Sequence, residues 1–351
     1  MDQNSYRRLI ARRRGRMDRR MLRALLRVIS VPYRLAVALR NSAYDMGLAR
    51  THSADAPVIS VGNITTGGTG KTPLVVWLCR LLGEKSLKCA VLTRGYKPPK
   101  GLVSDEPAIL ARACPRTKVL VNADRVAAAG RAVNEFAAQV LVMDDGFQHR
   151  RLGRDLDIVA IDATRPFGYD RLLPAGLLRE PKKAIRRADA VVITHYDQST
   201  AAGIELLEKQ IRRIKPDIVI AKAIHRHRCA RGTGDAGYDL DELRKKRIFA
   251  FCGIGNPEAF LNRLKEHGLN VVGSRVYNDH HNYTESDFGE IRRQALSLGA
   301  EMILSTEKDW VKTAVGAGKF TDILFAYLAV ELEFVDGGDR IEGLIDGILN
   351  K

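Results

Sequence analysis

Apolar residues follow two periods along the chain. Short β-branched or continuous apolar runs at Val58–Val61, Cys89–Thr93, Lys118–Val121, Gln139–Met143, Asp157–Ile161, Ala190–Thr194 and Ile218–Ala221 predict buried strands. Between them, helical spacing marks Leu74–Leu82, Ala108–Ala113, an alanine-rich stretch after Arg125, and an amphipathic helix between Asp197 and Asp217. Strands alternating with helices imply parallel βαβ units in a doubly wound sheet, with functional residues at the carboxyl ends of the strands. A polar stretch rich in Arg, His and Gly, His225–Gly237, interrupts the pattern. The alternation then resumes with strands at Arg247–Cys252, Asn270–Val276, Met302–Ser305, Ile323–Leu328 and Glu331–Phe334, helices between them, and a last helix from Arg340.

The first strand leads into the most informative stretch, APVISVGNITTGGTGKTP at Ala56–Pro73. Gly67, Gly68 and Gly70 let backbone N–H groups approach anionic oxygens, Thr69 lies among them, and the following helix start favours negative charge. Lys71 can reach the β- and γ-phosphates and Thr72 can offer a hydroxyl to Mg²⁺. A strict Walker A pattern would have glycine where this chain has Thr65. The strand before, the helix after and the G-K-T ending still make this a nucleotide phosphate site. Asp144-Asp145, which close the Gln139–Met143 strand, suit the Walker B role of holding Mg²⁺ opposite Thr72, against the alternative of plain turn residues. The fold class is therefore α/β, a P-loop NTPase-like doubly wound parallel sheet with a second, smaller α/β/α domain. The expected divisions are an Arg-rich arm and membrane-facing helix at 1–50, the nucleotide domain at 51–224, a hinge at 225–246, the smaller domain at 247–335 and a terminal helix at 336–351.

Charge changes the picture at one end only. The net charge is +16, and the first fifty residues hold thirteen Arg against three Asp, so most of the basicity is local. Leu22, Leu25, Leu26 and Ile29 form a helical stripe flanked by Arg19, Arg20, Arg23 and Arg27. No apolar run approaches the roughly 20 residues of a bilayer crossing, and Arg23, Arg27 and Arg34 would break a signal-peptide core. Three readings stay open: an interfacial helix on anionic lipid, an arm on nucleic acid, or a helix packed on its own domain. Five dispersed cysteines without a C-x-x-C pair argue against a disulfide framework or zinc site and fit a reducing compartment. The adjacent His280-His281 can bind metal or make a capped turn, and His149 beside arginines is equally ambiguous.

Several stretches together resemble the tetraacyldisaccharide 4′-kinase family of lipid A biosynthesis. They are SVGNITTGGTGKTP, TRGYK at Thr93–Lys97, SDEP at Ser104–Pro107, DDGFQHRRLGRDLDI at Asp144–Ile158, LLPAGLLREP at Leu172–Pro181 and RRADAVVIT at Arg186–Thr194. FCGIGNP at Phe251–Pro257, NDHHNYT at Asn278–Thr284 and STEKDWVK at Ser305–Lys312 continue it through the second half. The resemblance implies ATP- and Mg²⁺-dependent phosphorylation of the 4′-hydroxyl of a tetraacylated disaccharide 1-phosphate, giving lipid IVA. It also implies an active site between two domains and a peripheral place on the cytoplasmic face of the inner membrane, among anionic lipids and away from nucleic acid.

Carried over, Lys71 and Thr72 take phosphate and Mg²⁺ roles and Asp144-Asp145 the Walker B role. Asp105 becomes the base acting on the sugar hydroxyl, His280 its partner from the opposite domain, and Glu180 a residue near the metal and phosphates. Ser104 stands where the family usually has glycine, and Met1–Arg20 precedes the family-like start. The competing readings are a P-loop GTPase or metallochaperone-like switch and a nucleic-acid-associated ATPase. The nearest thing to a guanine-reading N-K-x-D stretch is T-E-K-D at Thr306–Asp309, a poor match, and no aromatic-interleaved basic patch appears.

Overall fold

The computed structural model describes residues 17–95, 105–232, 236–254, 257–278, 281–317 and 322–350. The chain divides into two compact units. The first comprises Met1–Gly95, Ala113–His225 and Leu332–Lys351; the second comprises Tyr96–Arg112 and Arg226–Glu331.

The first unit is built on an eight-stranded sheet. Its strands are β1 (Val58–Gly62), β2 (Cys89–Thr93), β3 (Lys118–Val121), β4 (Val140–Asp144), β5 (Leu156–Asp162), β6 (Ala190–Thr194), β7 (Val219–Arg226) and β14 (Glu331–Asp336), in the order β14-β7-β6-β5-β1-β4-β2-β3. β1 lies between β4 and β5, parallel to both, with Val61 opposite Asp144. Every residue of β1, β2, β4 and β6 is buried, as expected for parallel strands covered on both faces. The Lys71–Glu84 helix (α2) packs on β1, β2 and β4, and the Arg125–Phe136 helix (α4) on β2 and β3. Asp124 caps α4 by accepting from the N–H groups of Val126 and Ala127. The Ala201–Ile214 helix (α5) buries Ile204, Leu207 and Ile211.

The last strand and helix return to this unit. β14 joins the sheet beside β7, and the Gly338–Leu349 helix (α10) buries Ile341, Ile345 and Ile348. Phe334 of β14 meets Trp77 of α2 edge-on at 4.7 Å, and Lys85 pairs with Asp346 at 2.8 Å. Sequence reading had placed β14 in the smaller domain; strand neighbours are chosen by long-range packing, which a local pattern does not carry.

The N-terminal helix α1 runs unbroken from Met17 to Asp45 and passes through Pro32. Its half-buried positions, Leu26, Ser30, Tyr33, Val37, Asn41 and Tyr44, recur every three or four residues and make one docked face. Most of the leucine stripe points the other way, Leu22, Leu25 and Ile29 being 39%, 53% and 45% exposed, and further along Leu35 and Leu39 are 58% and 71% exposed. No helix among the described residues is long and apolar enough to cross a membrane.

The second unit holds a six-stranded sheet of β8 (Cys229–Gly232), β9 (Gly237–Asp239), β10 (Arg247–Cys252), β11 (Asn270–Val276), β12 (Met302–Thr306) and β13 (Leu324–Leu328). The order is β11-β10-β12-β13-β8-β9, parallel from β11 to β13 and antiparallel beyond. Helices α7 (Pro257–Glu266), α8 (Glu285–Ser297) and α9 (Glu307–Ala317) pack on its parallel strands. The stretch expected to be a hinge instead carries β8, β9 and a short helix α6 (Leu240–Arg244), capped by a reciprocal Asp239–Glu242 box. The cysteines at 79, 89, 114 and 252 are buried, and all five thiols are free.

Candidate active site

Between β1 and α2 the chain wraps an exposed rim at Gly67-Gly68 over a buried base at Asn63–Thr65 and Thr69. Gly67 and Gly70 take left-handed backbone, φ 120° and 73°, which a side chain would strain. A Cβ on Gly68 would meet nothing within 4 Å, so the rim is open on that side. Asn63 donates to the Thr69 hydroxyl at 2.9 Å, and Gln148 donates to the Asn63 carbonyl at 2.8 Å, fixing the loop from within.

Where the chain departs from the Walker pattern, its backbone pairs outside the loop. Thr65, 6% exposed, makes an antiparallel bridge to Leu178; the Thr66 N–H donates to the Leu177 carbonyl and the Arg179 N–H to that of Ile64, both at 2.8 Å. The loop is thus sewn to the LLPAGLLREP stretch by backbone bonds.

Lys71, the first residue of α2, lies 3.4 Å from Asp145, which follows β4 in left-handed conformation (φ 51°). Arg179 donates to both Asp145 oxygens at 2.9 and 2.7 Å. Burial pushes the Asp145 carboxyl up, but Lys71 and Arg179 outweigh it and hold the group below the usual carboxylate range. Asp144 is 4% exposed and accepts from the Thr93 hydroxyl at 3.4 Å, while buried Arg125 donates to its carbonyl at 3.2 Å. The two carboxyl groups and the Thr72 hydroxyl are hard oxygen donors, a set that suits Mg²⁺. Among the described residues no group of three or more His, Cys, Asp or Glu forms a metal cluster by itself, so phosphate oxygens and water would complete the coordination.

Sequence reasoning missed Arg179, although it stands one residue before Glu180 in a stretch already singled out. Glu180 itself is 1% exposed and turned into the protein: Arg187 donates to its two oxygens at 3.1 and 2.9 Å and Asn41 of α1 donates at 2.9 Å. These bonds tie Glu180 to α1 and to the Lys182–Arg187 stretch. Tyr33 of α1 donates to the Arg179 carbonyl at 2.9 Å and Ser30 to that of Leu172 at 3.2 Å, so the docked face of α1 grips the same stretch. His149, half-buried, is pushed down to about 4 by burial and by neighbouring Arg125 and Arg40, and is neutral near pH 7.

On the other side of β1, Thr194 donates to the Thr69 carbonyl at 3.0 Å. Beside it His195 lies 3.4 Å from Asp162, and the His195 and His225 rings meet edge to face at 4.3 Å. No sequence motif flagged this trio; its members come from three strand ends.

Asp105 opens helix α3 (Asp105–Ala113). Ser104 and His280 lie outside the described residues. The range Tyr96–Arg112 groups with the second unit, as does Arg226–Glu331. The expectation that Asp105 and His280 meet from opposite domains involves His280 and so lies outside the described residues. What ties α3 to the second unit is Arg112, whose guanidinium lies 5.2 Å from the ring centres of both Trp310 and Tyr327 and donates to the Gly232 carbonyl at 3.4 Å.

In the second unit three motifs converge on buried Asp309. It accepts from the Gly253 N–H at 3.1 Å, from Tyr283 at 2.9 Å and from Thr306 at 2.6 Å. His281 bonds Asp287 at 3.1 Å and stacks on Tyr277 at 4.5 Å.

The profile of the family described as tetraacyldisaccharide-1-P 4′-kinase matches residues 22–349. A tetraacyldisaccharide 4′-kinase of Syntrophus aciditrophicus is 42% identical over 85% of this chain and 86% of its own length. One of Chlorobaculum tepidum is 35% identical over 95% of this chain and all of its own. Among solved structures, LpxK from Aquifex aeolicus in complex with ATP superimposes with a TM-score of 0.75 and 29% identity, covering 93% of this chain and 99% of the other.

Proposed function

This chain belongs to the tetraacyldisaccharide-1-P 4′-kinase family, and from that membership we propose how its residues carry out the family's reaction. The enzyme is a phosphotransferase that moves the terminal phosphoryl group of ATP to the 4′-hydroxyl of tetraacyldisaccharide 1-phosphate, giving lipid IVA in lipid A biosynthesis. The observation that carries the residue assignment is the Lys71–Asp145–Arg179 cluster at the mouth of the glycine loop.

The loop from Gly67 to Gly70 cradles the phosphates with its N–H groups, and Lys71 sits at the terminal phosphoryl. Asp145 keeps the Lys71 ammonium aimed there and, with Arg179, balances charge around the transferring group. Thr72, Asp144 and Asp145 are the residues that would hold Mg²⁺, which when bound offsets negative charge on the phosphate oxygens. Asp105 accepts the proton of the 4′-hydroxyl as that oxygen forms its bond to the γ-phosphorus and the bond to the β-phosphate oxygen of ADP breaks. His280 orients the Asp105 carboxylate. Glu180 anchors the stretch that presents Arg179, through Arg187 and Asn41.

The same reading places the enzyme peripherally on the cytoplasmic face of the inner membrane. The exposed apolar face of α1 would enter the acyl region while its arginines meet anionic headgroups and the lipid substrate. What supports this over a helix packed on its own domain is that Leu25, Leu35 and Leu39 face outward while the face with Ser30, Tyr33 and Asn41 docks.

The test is transfer of labelled phosphate from ATP to tetraacyldisaccharide 1-phosphate with Mg²⁺, products separated by thin-layer chromatography. Asp105→Ala is expected to lose transfer and keep ATP binding. Unchanged turnover would remove Asp105 from the proton-accepting role; no lipid product from the parent enzyme would remove the whole reading.

A further inference from the structure

Gln148 stands in the DDGFQHRRLGRDLDI stretch, and the transfer steps above leave it without a role. We propose that it is a positioning residue for the transfer, its side-chain amide holding the Arg179 guanidinium in register with the phosphate loop. This rests on the assignment of Arg179 to the charge around the transferring phosphoryl group, and adds what keeps that cation in place.

Three observations carry it. The first is that the amide is engaged at both ends. Its Nε2 donates to the Asn63 carbonyl at 2.8 Å, and its Oε1 accepts from Arg179 Nη1 at 3.3 Å. Asn63 is fully buried and follows β1 directly, at the base of the loop. A carbonyl only accepts and a guanidinium only donates, so one orientation of the amide serves both. A single planar group therefore spans from the loop backbone to the cation.

The second is that this amide is carried on a fixed turn. The Gly146 N–H donates to the Val61 carbonyl of β1 at 3.1 Å, and Phe147 is fully buried. A Cβ on Gly62 would be 2.5 Å from the Phe147 Cβ and 2.7 Å from its nitrogen, so the turn lies directly on the end of β1. The Gln148 carbonyl accepts from the Arg150 N–H at 3.1 Å and from the Arg40 guanidinium of α1. With its backbone held from two sides, the side chain gives up little freedom in holding Arg179.

The third is charge. The bond from the Arg179 N–H to the Ile64 carbonyl, 2.8 Å, fixes the root of a long flexible side chain and leaves its tip to be placed by other groups. Asp145 grips that tip, but it is shared with Lys71 at 3.4 Å and its negative charge offsets that of the guanidinium. Gln148 is neutral. It orients the cation and leaves its charge to act on phosphate oxygens. The Arg179 side chain keeps 23% of its surface open.

Steady-state transfer by the full chain, with Mg²⁺, ATP and tetraacyldisaccharide 1-phosphate, separates positioning from folding. Gln148→Leu is expected to lower kcat roughly tenfold, the scale of one hydrogen bond to a charged group, and to shift the KM for ATP within about threefold. In an Arg179→Ala background the same change should cost no more than about twofold, since the group it positions is gone. Gln148→Glu keeps an acceptor and nearly the same volume, but its charge would offset that of Arg179 and oppose the Asn63 carbonyl. It should also lose roughly tenfold or more in kcat. Parent-like kcat for either variant, or an equal loss with and without Arg179, would overturn the positioning role. If Arg179→Ala alone transfers at the parent rate, the assignment of Arg179 to the phosphoryl group fails, and the role of Gln148 with it.

Discussion

Replacing Arg187 by Met would leave the Glu180 carboxylate, 1% exposed, with Asn41 as its one remaining partner of those described above. In the parent protein Arg187 supplies bonds of 3.1 and 2.9 Å and lies 4.5 Å over the Phe147 ring, itself fully buried. Breaking one side of a buried ion pair costs about 3–5 kcal/mol, whereas a surface pair is worth about 0–1 kcal/mol. In a unit of this size each kcal/mol moves the midpoint by about 2–4 °C, so the expected fall in Tm is on the order of 10 °C. Adding Glu180→Gln removes the stranded charge and should restore at least half of the loss. Differential scanning calorimetry of the two single variants and the double variant completes the cycle. A drop within about 3 °C for Arg187→Met, or a double variant worse than the sum of the singles, would refute the buried-pair account.

Three further outcomes follow from other parts of the molecule. Replacing Leu25, Leu35 and Leu39 together by Glu should weaken sedimentation with anionic vesicles at least tenfold while leaving Tm nearly unchanged, since all three are exposed; equal sedimentation would count against the membrane face. Burial pushes His227 down to about 4, partly offset by its bond to the Ala329 carbonyl. The unfolded ring takes up a proton near pH 6.5 that the folded ring refuses, so this stability is complete above pH 6.5 and is lost as pH falls towards 4. Between pH 7 and 5 urea unfolding should show about 2 kcal/mol of loss that His227→Asn removes, and an unaltered pH dependence would discard the assignment. Gly70→Ala, strained by φ 73° and placing its Cβ 2.8 Å from His225 Nε2, should raise the KM for ATP at least tenfold; relief by adding His225→Ser would show that the contact, beyond the backbone, matters.

Much of this was legible because strong local signals and the fold agreed. The buried parallel strands show as unbroken apolar runs, and the predicted Cys89–Thr93, Lys118–Val121 and Ala190–Thr194 are the observed β2, β3 and β6. The glycine loop declared itself by spacing, and Asp144-Asp145 showed as acids closing an apolar run; that run is β4, which lies beside β1. What escaped was non-local. β8 and β9 are short strands with alternating or exposed residues, so their polar composition resembled a loop until antiparallel partners were supplied. The sequence singled out Glu180 through its stretch but could not show that its carboxylate pairs with Arg187 and with Asn41, 139 positions earlier in the chain. The leucine stripe of α1 predicted a helix correctly and left open which face would dock, since an apolar stripe fits a protein core and a lipid surface equally well.

The second unit is inserted into the first. β14 and α10 complete the sheet begun at β1, yet nearly the whole of the second unit is encoded between β7 and β14. During synthesis the nucleotide-binding sheet therefore stays open at that edge until the ribosome has finished the inserted body and reached β14. No cut at a single point yields both units whole, and a chain stopped at Glu331 would expose the side of β7 where β14 belongs.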